Sequence, residues 1–381
     1  MHQRPPTAVL LLTICGFGSL YVPQPLLPVL ALDFGVSPAD ASLLISVTLL
    51  PLAVAPLLYG YVLEGWPAQR MVTVAAGALA VCLFAMTAVT AWWQLVLLRA
   101  LEGLCLPALF TALMTQVAAS ARADQVRTVM AWYIAATIFG GFAGRAVSGQ
   151  LAELWHWRDA FAFWGVGVAA SLWGLRRSGI RGATHFARPH PQAFADVLSA
   201  PAMAAAYSAV FCMFFVFAGF LNVLPFRLRE LAPDLGTGAI GLAYGGYLAG
   251  ILVTLGGPWL RGRARSEAQL LGLAVGLYAL GLAAFAVPRA AAIYLGMFAF
   301  CAGMFLIHGR LSGQVNQHMR RHQGLVNGIY IASYYLGGVI GSWLAPATYR
   351  GLGWEPLLGL LALSLAAMAI GLTRMLRRTA T

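Results

Sequence analysis

The sequence predicts an all-α integral membrane protein with twelve transmembrane helices, arranged as two parallel repeats of six helices. Three observations support this fold class: the apolar composition, the recurrence of apolar runs of membrane length, and an internal repeat. Of the 381 residues, 60% are hydrophobic and only 9% are charged, and the mean hydropathy is +0.78. Soluble globular domains are far more polar than this. We therefore expect lipid rather than water to surround most of the chain.

Apolar runs of about 20 residues, the length that the hydrocarbon core of a bilayer requires, recur twelve times and are numbered here as spans one to twelve. Backbone groups in lipid must be hydrogen-bonded within their own run or in a closed barrel, so long runs without alternation predict helices. The first run follows "MHQR" but has no small-residue cleavage site, so we expect it to remain in the mature protein. The runs begin near Ala8, Ala39, Met71, Gln94, Thr128, Arg158, Pro201, Thr237, Ala268, Ala291, Gly324 and Pro356.

The arginines predict the orientation of the helices, because all 24 basic residues are arginine. If the N-terminus is cytoplasmic, sixteen arginines fall in cytoplasmic segments and only five in the opposite loops, as the positive-inside rule requires. Both termini are therefore predicted to be cytoplasmic. The same distribution accounts for the net charge of +12, so we expect no nucleic-acid partner. The five cysteines all lie in apolar runs without a CxxC pair, which indicates packing residues rather than disulfides or a zinc site.

An internal repeat lies at a gapless offset of 197 residues. Because each repeat holds six runs, both halves are predicted to have the same orientation, an arrangement found in secondary transporters. We expect a six-helix bundle at residues 1–175, a cytoplasmic linker at 176–200 and a second bundle at 201–381. The paired positions are Pro28 and Pro225, Gly60 and Gly257, Tyr133 and Tyr330, Trp157 and Trp354, and Gly140, Gly141 and Gly144 with Gly337, Gly338 and Gly341. The six glycines of the last group are expected to let helices pack closely where the halves meet, with ordinary static packing as the alternative.

With this architecture and a central cytoplasmic segment, the chain resembles the major facilitator superfamily over essentially its whole length. In span four, "LLRALEGL" looks like the RxxQG motif of that family with Glu102 at the glutamine position. In span five, "GGFAGR" looks like its GPxxGG motif, with Gly141 and Arg145 at the altered positions. The resemblance implies alternating access between two halves, and span five together with "HWRDAF" and "YYLGGVIGS" is most similar to sugar-efflux and multidrug exporters of bacterial inner membranes.

A third motif, after span two, is only partly retained. The segment "GYVLEGWPAQR" keeps Gly60, Glu64 and Arg70 of a signature typical of the family. The corresponding segment of the second half, "GPWLRGRAR", has Arg261 where the signature has an acid. Any charge relay that this turn provides in other members is therefore not predicted from these residues.

Two charged residues in span four are candidates for proton coupling. An arginine in the middle of a membrane costs roughly 2.5 kcal/mol or more, so it is expected to face an acid, a wet cavity or the bundle interior. Arg99 and Glu102 are three residues apart and share one helix face, and the resemblance places span four along the central cavity. Glu102 would carry the proton while Arg99 controls its protonation. The alternative is a permanent ion pair that holds span four to its neighbours.

Two further arginines and a histidine lie in later spans. Arg145 has Ser342 as its repeat partner, so the charge is present in one half only. It is expected to latch the halves or to bind an anionic substrate, or else to extend toward water at the membrane surface. Arg310 has the same two interpretations as a cavity residue or a snorkelling residue. His308 can titrate near neutral pH and is a second candidate for proton coupling.

Uncharged polar residues complete the predicted substrate cavity. Tyr21 and Gln24 lie where prolines make span one irregular, and Asn222 lies in span seven. Broken helices at mid-membrane are where transporters bind substrate, although the amides could instead satisfy backbone carbonyls that the prolines leave unpaired.

One stripe of span ten offers a metal alternative. Cys301, Met304 and His308 fall on it at spacings of three and seven residues, and soft ligands of this kind suit Cu(I). Apart from this stripe no metal site is expected.

These observations together predict a proton-coupled secondary transporter that exports a small polar or anionic organic solute. We expect no cofactor, a proton gradient as the energy source, and a monomer in the bacterial inner membrane whose partners are the solute, protons and membrane lipids. The alternatives are an uptake permease for a small metabolite or for Cu(I), and a non-transporting sensor that keeps the fold. The sequence contains no HExxH, GxSxG, P-loop or acid pair, so an enzyme is not expected.

Overall fold

The computed structural model describes residues 7–62, 65–120, 126–178, 191–318 and 323–379, and these residues are almost entirely helical. In the first half, a 3₁₀ turn at Gln24–Leu26 separates α1 from α2; the helices are α1 (Thr7–Tyr21), α2 (Leu27–Asp33), α3 (Pro38–Val62), α4 (Ala68–Met86), α5 (Trp92–Ser120), α6 (Val126–Leu154) and α7 (Trp157–Ser178). In the second half, a 3₁₀ turn at Tyr244–Gly246 separates α10 from α11; the helices are α8 (Pro191–Ser199), α9 (Pro201–Leu231), α10 (Thr237–Ala243), α11 (Tyr247–Leu255), α12 (Gly257–Arg263), α13 (Glu267–Ala284), α14 (Ala290–His318), α15 (Gln323–Leu352) and α16 (Trp354–Thr379).

These helices confirm the predicted all-α membrane class. Each of the twelve apolar runs coincides with one long helix or with two consecutive helices joined by a 3₁₀ turn. Within the described residues, nine segments are long and apolar enough to cross a membrane. The number of crossings and the cytoplasmic location of the termini remain predictions, and Glu64 of the motif after span two lies outside the described residues.

The irregularity predicted in span one is confirmed, and its cause is local. Proline has no N–H to donate and crowds the preceding turn, and Pro23 and Pro25 follow directly on the end of α1. The carbonyl of Ser19 therefore has no N–H at the fourth following residue, and the backbone bond that it accepts is a 3.3 Å bond from the Val22 amide. The chain crosses this break as a 3₁₀ turn with Pro25 inside it.

The contacts between Cα atoms divide the chain into two compact units. Unit 1 comprises Met1–Pro51, Tyr61–His185 and Asp234–Tyr244. Unit 2 comprises Leu52–Gly60, Phe186–Pro233 and Gly245–Thr381. The short helix α10 thus belongs to unit 1 although it comes from the second half of the sequence. The predicted bundles at 1–175 and 201–381 and the linker at 176–200 remain predictions, and residues 179–190 of that linker lie outside the described part.

In unit 1, α6 packs closely against α1 through two of the repeated glycines. A β-carbon added at Gly140 would lie 2.7 Å from the carbonyl oxygen of Ile14, and one added at Gly144 would overlap the backbone of Gly18. Both distances are shorter than real side-chain carbons tolerate, so these positions require glycine for the helices to approach as they do.

In unit 2, α15 packs against α9 in the corresponding way. Added β-carbons at Gly337 and Gly341 would overlap the backbones of Phe211 and Phe215. These residues lie 197 positions after Gly140, Gly144, Ile14 and Gly18, so the sequence offset reproduces the helix contacts residue for residue. The contacts found at these four glycines lie within a unit. For all six repeated glycines, including Gly141 and Gly338, a role where the halves meet remains a prediction.

Substitution Gly144→Val is expected to destabilise the protein by about 1–3 kcal/mol, because the new side chain must push α1 and α6 apart. The measurement is thermal unfolding of the detergent-purified protein. Gly77→Val on α4 is the matched control, since an added β-carbon at Gly77 meets no atom within 4 Å. Equal unfolding temperatures for the two variants would show that the α1–α6 contact does not require a glycine.

Candidate functional site

Arg99 and Glu102 of α5 form a fully buried ion pair in unit 1. Both side chains are 0% exposed, and the Arg99 Nη1 donates to the Glu102 Oε2 at 2.5 Å. The helical spacing of three residues places them on one face, as predicted. Because neither side chain reaches water, each charge depends on the other for compensation.

The Arg99 guanidinium also connects three helices through backbone carbonyls. Its Nη1 donates to the Ser19 carbonyl at 3.2 Å and its Nη2 to the Leu20 carbonyl at 2.6 Å, both at the end of α1. Its Nε donates to the Leu44 carbonyl of α3 at 3.1 Å. Carbonyls at a helix end lack intrahelical donors, and Pro23 removes the donor that Ser19 would otherwise have. Arg99 therefore supplies hydrogen-bond donors to the carbonyls at the break in span one, in addition to pairing with Glu102.

The second oxygen of Glu102 is in a different environment. Its Oε1 is buried and has no hydrogen-bond partner among the described residues. An unsatisfied buried acceptor costs roughly 1–3 kcal/mol, so this oxygen is the position in the pair where a proton or a donor from another molecule would add.

Arg145 of α6 lies in a second buried cluster of unit 1, between two tyrosine rings. Its guanidinium carbon is 3.8 Å from the centroid of the Tyr21 ring and 5.0 Å from that of the Tyr244 ring. Its Nε donates to the Gln24 Oε1 at 2.5 Å, and its Nη1 donates to the Gly141 carbonyl at 2.5 Å. The residue is 1% exposed, so its side chain extends into the helix packing and not toward the surface.

The structure thus brings together three of the predicted cavity residues, Tyr21, Gln24 and Arg145. Tyr244 completes the cluster and was not predicted from the sequence. It lies at the 3₁₀ turn that separates α10 from α11, and the "YGG" at this turn marks a break in an apolar run. A search for ring systems at breaks in the spans would have found it.

Close to the Arg145 cluster, α6 and α10 are joined by polar contacts. The Thr237 hydroxyl donates to the Gly149 carbonyl at 2.9 Å, and the Gly238 amide donates to the Glu153 Oε2 at 2.5 Å. A β-carbon added at Gly241 would lie 2.7 Å from the Arg145 carbonyl oxygen. These contacts fix the start of α10, and with it the position of Tyr244, against α6.

Asn222, the third uncharged cavity residue, lies in unit 2 on α9. It is 0% exposed, and its Nδ2 donates to the Ser342 carbonyl at 3.4 Å. Ser342 is the repeat partner of Arg145, and its own hydroxyl oxygen is buried without a hydrogen-bond partner among the described residues. The contact with a backbone carbonyl agrees with the structural interpretation of Asn222 and leaves its part in the cavity a prediction.

His308 of α14 lies among tyrosines of α15 in unit 2. The Tyr330 hydroxyl is 3.0 Å from the His308 Nδ1 and 3.3 Å from the His308 carbonyl oxygen. The His308 ring also lies 4.9 Å from the ring of Tyr334, between centroids. The imidazole is only partly buried.

Arg310, two residues further along α14, has a carboxylate partner that the sequence analysis did not identify. Its Nε and Nη2 donate to the two oxygens of Glu267 on α13, each at 2.6 Å, and Arg261 of α12 also contacts Glu267 at 3.2 Å. A bidentate pair of this kind is the strongest geometry for an arginine and a carboxylate. The repeat offset could have indicated Glu267 as a partner. It pairs Arg261 with Glu64 and Glu267 with Arg70, so the acid and the base occupy opposite positions at this turn in the two halves.

The sulfur residues of the proposed metal stripe lie inside the helix packing. Cys301 and Met304 are both 0% exposed on α14, whereas His308 faces Tyr330. Among the residues that the structure describes, no three His, Cys, Asp or Glu side chains are grouped so as to hold a metal ion. Binding of Cu(I) along this stripe remains a hypothesis.

Comparison with known proteins gives a consistent result over most of the chain. The family model of the Major Facilitator Superfamily matches residues 9–342. The inner membrane transport protein YnfM of Escherichia coli is 26% identical, over 96% of this chain and 88% of that protein. An uncharacterized transporter of Buchnera aphidicola is 24% identical over 95% of this chain and 90% of its own length, and the MFS-type transporter YybF of Bacillus subtilis is 31% identical over 39% of this chain and 37% of its own length. This chain belongs to the Major Facilitator Superfamily and is a multi-pass membrane transporter.

Proposed function

We propose that the protein is a proton-coupled exporter of a small polar or anionic organic solute, working by alternating access, with Glu102 as the group that binds and releases the proton. One observation carries this proposal. Glu102 is a fully buried carboxylate with one oxygen paired to Arg99 and the other oxygen buried without a hydrogen-bond partner among the described residues. Such intramembrane acids are rare and typically belong to proton pathways.

The geometry gives protonation of Glu102 a structural consequence. A proton on Oε1 leaves the bond between Arg99 and Oε2 in place but removes the negative charge that compensates the guanidinium. Arg99 would then rely on the carbonyls of Ser19, Leu20 and Leu44, which belong to α1 and α3. The free energy that ties α5 to these two helices therefore depends on the proton, and a rearrangement of the helices can be coupled to its release.

The solute class is inferred from the Arg145 cluster. A buried guanidinium at the break of span one, beside the amide of Gln24 and the hydroxyl-bearing rings of Tyr21 and Tyr244, offers an anion both charge and hydrogen bonds. Breaks in transmembrane helices are common substrate sites of transporters. Export as the direction rests on the resemblance of the span-five motif to exporters. The bacterial inner membrane as the location is supported by the similarity to YnfM, an inner membrane transport protein of E. coli.

The experiment is solute-dependent proton movement in proteoliposomes that hold the purified protein and a pH-sensitive dye. A panel of anionic and neutral metabolites, with Cu(I) as a further arm, is applied in each direction. We expect protons to move against one anionic class of solute. Solute flux that leaves the internal pH unchanged would refute proton coupling, and pH changes with Cu(I) alone would favour the metal-uptake alternative.

Substitution Arg145→Gln is expected to raise the KM for an anionic solute about 10- to 100-fold, because a hydrogen bond to a charged group contributes about 1.5–3 kcal/mol. The KM of a neutral analogue should change much less. The control is Arg289→Gln, which removes an exposed arginine from a loop. An equal rise in KM for charged and neutral solutes would assign Arg145 to helix packing and not to the anion.

A further inference from the structure

The turn between α12 and α13 in unit 2 carries a group of exposed arginines. Arg261 and Arg263 lie in the last turn of α12, and Arg265 lies between the two helices. The acid that begins α13, Glu267, is already held by Arg310 through both of its oxygens and by Arg261. Among the residues that the structure describes, no carboxylate pairs with Arg263 or Arg265. The turn therefore presents positive charge that the protein itself does not neutralise.

The equivalent turn of the first half shows that this charge is not a requirement of the fold. At the repeat offset of 197, residues 257–267 correspond to residues 60–70. Residues 257–267 contain three arginines and one acid, whereas residues 60–70 contain one arginine and one acid. Because the repeat is parallel, both turns are predicted to be cytoplasmic, and the positive-inside rule does not demand the additional arginines at this turn. The excess in unit 2 requires another explanation.

The exposed surface that leads from the membrane span to these arginines changes character along one helix face. Helical bonding continues from α11 into α12, because the Gly256 amide donates to the Leu252 carbonyl at 2.8 Å and the Leu260 amide donates to the Gly256 carbonyl at 2.9 Å. Residues three or four apart therefore share a face across the junction. One such face holds Leu252, Leu255 and Trp259, which are 72%, 44% and 58% exposed, and then Arg263.

This order matches the layers of a phospholipid. The apolar span ends at Leu255, and α12 lies beyond it. Tryptophan is typical of the boundary between hydrocarbon and headgroups, and arginine pairs with phosphate oxygens. The face thus offers leucines to acyl chains, an indole at the interface and a guanidinium at the level of the phosphate.

Trp259 also orients the arginine above it. The Arg263 guanidinium carbon lies 3.8 Å from the centroid of the Trp259 ring, a cation–π contact that holds the charge at the interface. A second stack of this kind, Arg177 on Trp173, lies at the end of α7. The stack by itself is therefore not specific to the turn after α12. The distinguishing feature there is its combination with two more exposed arginines and with the exposed leucines of α11.

We propose that Trp259, Arg261, Arg263 and Arg265, termed here the lipid site, bind the headgroup of an anionic glycerophospholipid in the leaflet that α12 faces. The phosphodiester accepts hydrogen bonds from the arginines, and an acyl chain lies along Leu252 and Leu255. The leucines favour a lipid over a free phosphate ion, because a soluble anion would leave this apolar surface unused. The site is independent of the transported solute and of proton coupling.

The test is titration of the delipidated, detergent-purified protein, followed by native mass spectrometry, which resolves the first bound lipid. The probes are phosphatidylglycerol, phosphatidylcholine with the same acyl chains, and glycerophosphoglycerol, which has the phosphodiester without the chains. A basic residue near a membrane surface contributes about a fivefold gain in affinity for anionic lipid. With Arg263 and Arg265 we expect the first phosphatidylglycerol to bind about 25-fold more tightly than phosphatidylcholine, and glycerophosphoglycerol to bind far more weakly.

The variants separate this site from general attraction to a basic protein. Arg263→Gln/Arg265→Gln should reduce the preference for phosphatidylglycerol to about fivefold or less. The matched control Arg70→Gln/Arg289→Gln removes the same charge from two exposed positions elsewhere and should leave the preference unchanged. Trp259→Leu should weaken phosphatidylglycerol binding about two- to fivefold, the range of an exposed cation–π contact, whereas Trp259→Phe keeps a ring face and should lose less. Unchanged unfolding temperatures verify that these surface variants are folded.

Three results would overturn the proposal. They are equal affinities of the native protein for phosphatidylglycerol and phosphatidylcholine, equal losses in the two double variants, and binding of glycerophosphoglycerol as tight as that of the lipid. The second would assign the preference to net charge alone, and the third would indicate a site for soluble anions. None of these results bears on proton movement, so the lipid site and the transport proposal can fail separately.

Discussion

Solute-driven proton movement is expected to fall to background in Glu102→Gln, while exchange of solute down its own gradient continues. Glutamine has the size of glutamate and can still accept a hydrogen bond from Arg99 at 2.5 Å, but it cannot bind and release a proton. The variant therefore keeps the geometry of α5 and loses the titrating group. The measurement is paired: dye-reported proton movement, and counterflow of labelled solute in the same proteoliposomes.

Two controls make this result specific to Glu102. Glu355→Gln removes an exposed carboxylate from the first turn of α16 and should change neither readout. Counterflow in Glu102→Gln serves as the folding control, because it requires a protein that still binds and exchanges solute. Proton movement that persists at the native rate in Glu102→Gln would remove this residue from the mechanism and make His308 the next residue to test.

Local sequence patterns predicted the helices and the Arg99–Glu102 pair because both depend on short-range rules. A bilayer fixes the length of a span, and a spacing of three residues fixes which side chains share a helix face. The repeat offset also predicted a relation between residues that are far apart in the sequence. It identified Gly144 and Gly341 as equivalent positions, and the structure places them against equivalent positions of α1 and α9.

Other contacts could not be read from local patterns because they depend on how each helix is rotated against a distant one. Glu267 lies 43 residues before Arg310, and nothing in either segment specifies that the two meet. Tyr244 reaches Arg145 only because Thr237 and Gly238 fix the start of α10 against the end of α6. Neither interpretation of Arg310 in the sequence analysis, as a cavity residue or as a snorkelling residue, included a carboxylate partner such as Glu267.

The Arg99 side chain is buried and has four hydrogen-bonded or ionic partners, so its role is not confined to Glu102. The same side chain compensates a carboxylate and satisfies carbonyls of α1 and α3. A permanent structural pair and a proton-dependent pair are therefore compatible, because the carbonyl contacts persist when the carboxylate is protonated. The helix break that requires Arg99 also forms the site at Tyr21 and Gln24, which links the coupling pair to the proposed solute site through one element.

Substitution Arg99→Leu is expected to destabilise the protein by about 3–5 kcal/mol, the cost of leaving one partner of a buried pair without the other. The loss has two parts, namely the uncompensated Glu102 carboxylate and the unpaired carbonyls of α1 and α3. The measurement is unfolding in detergent, followed by tryptophan fluorescence. Arg289→Leu in an exposed loop is the control and should leave the unfolding temperature within experimental error of the native value.

The double variant Arg99→Leu/Glu102→Leu separates the two parts. Removing both charges abolishes the uncompensated carboxylate, so the double variant should be more stable than Arg99→Leu alone. It should remain less stable than the native protein, because Ser19, Leu20 and Leu44 still lack the Arg99 donors. A double variant as stable as the native protein would contradict the role of Arg99 in closing the break of span one. A double variant no more stable than Arg99→Leu would assign the whole loss to the carbonyls, and the ion pair would then serve coupling rather than stability.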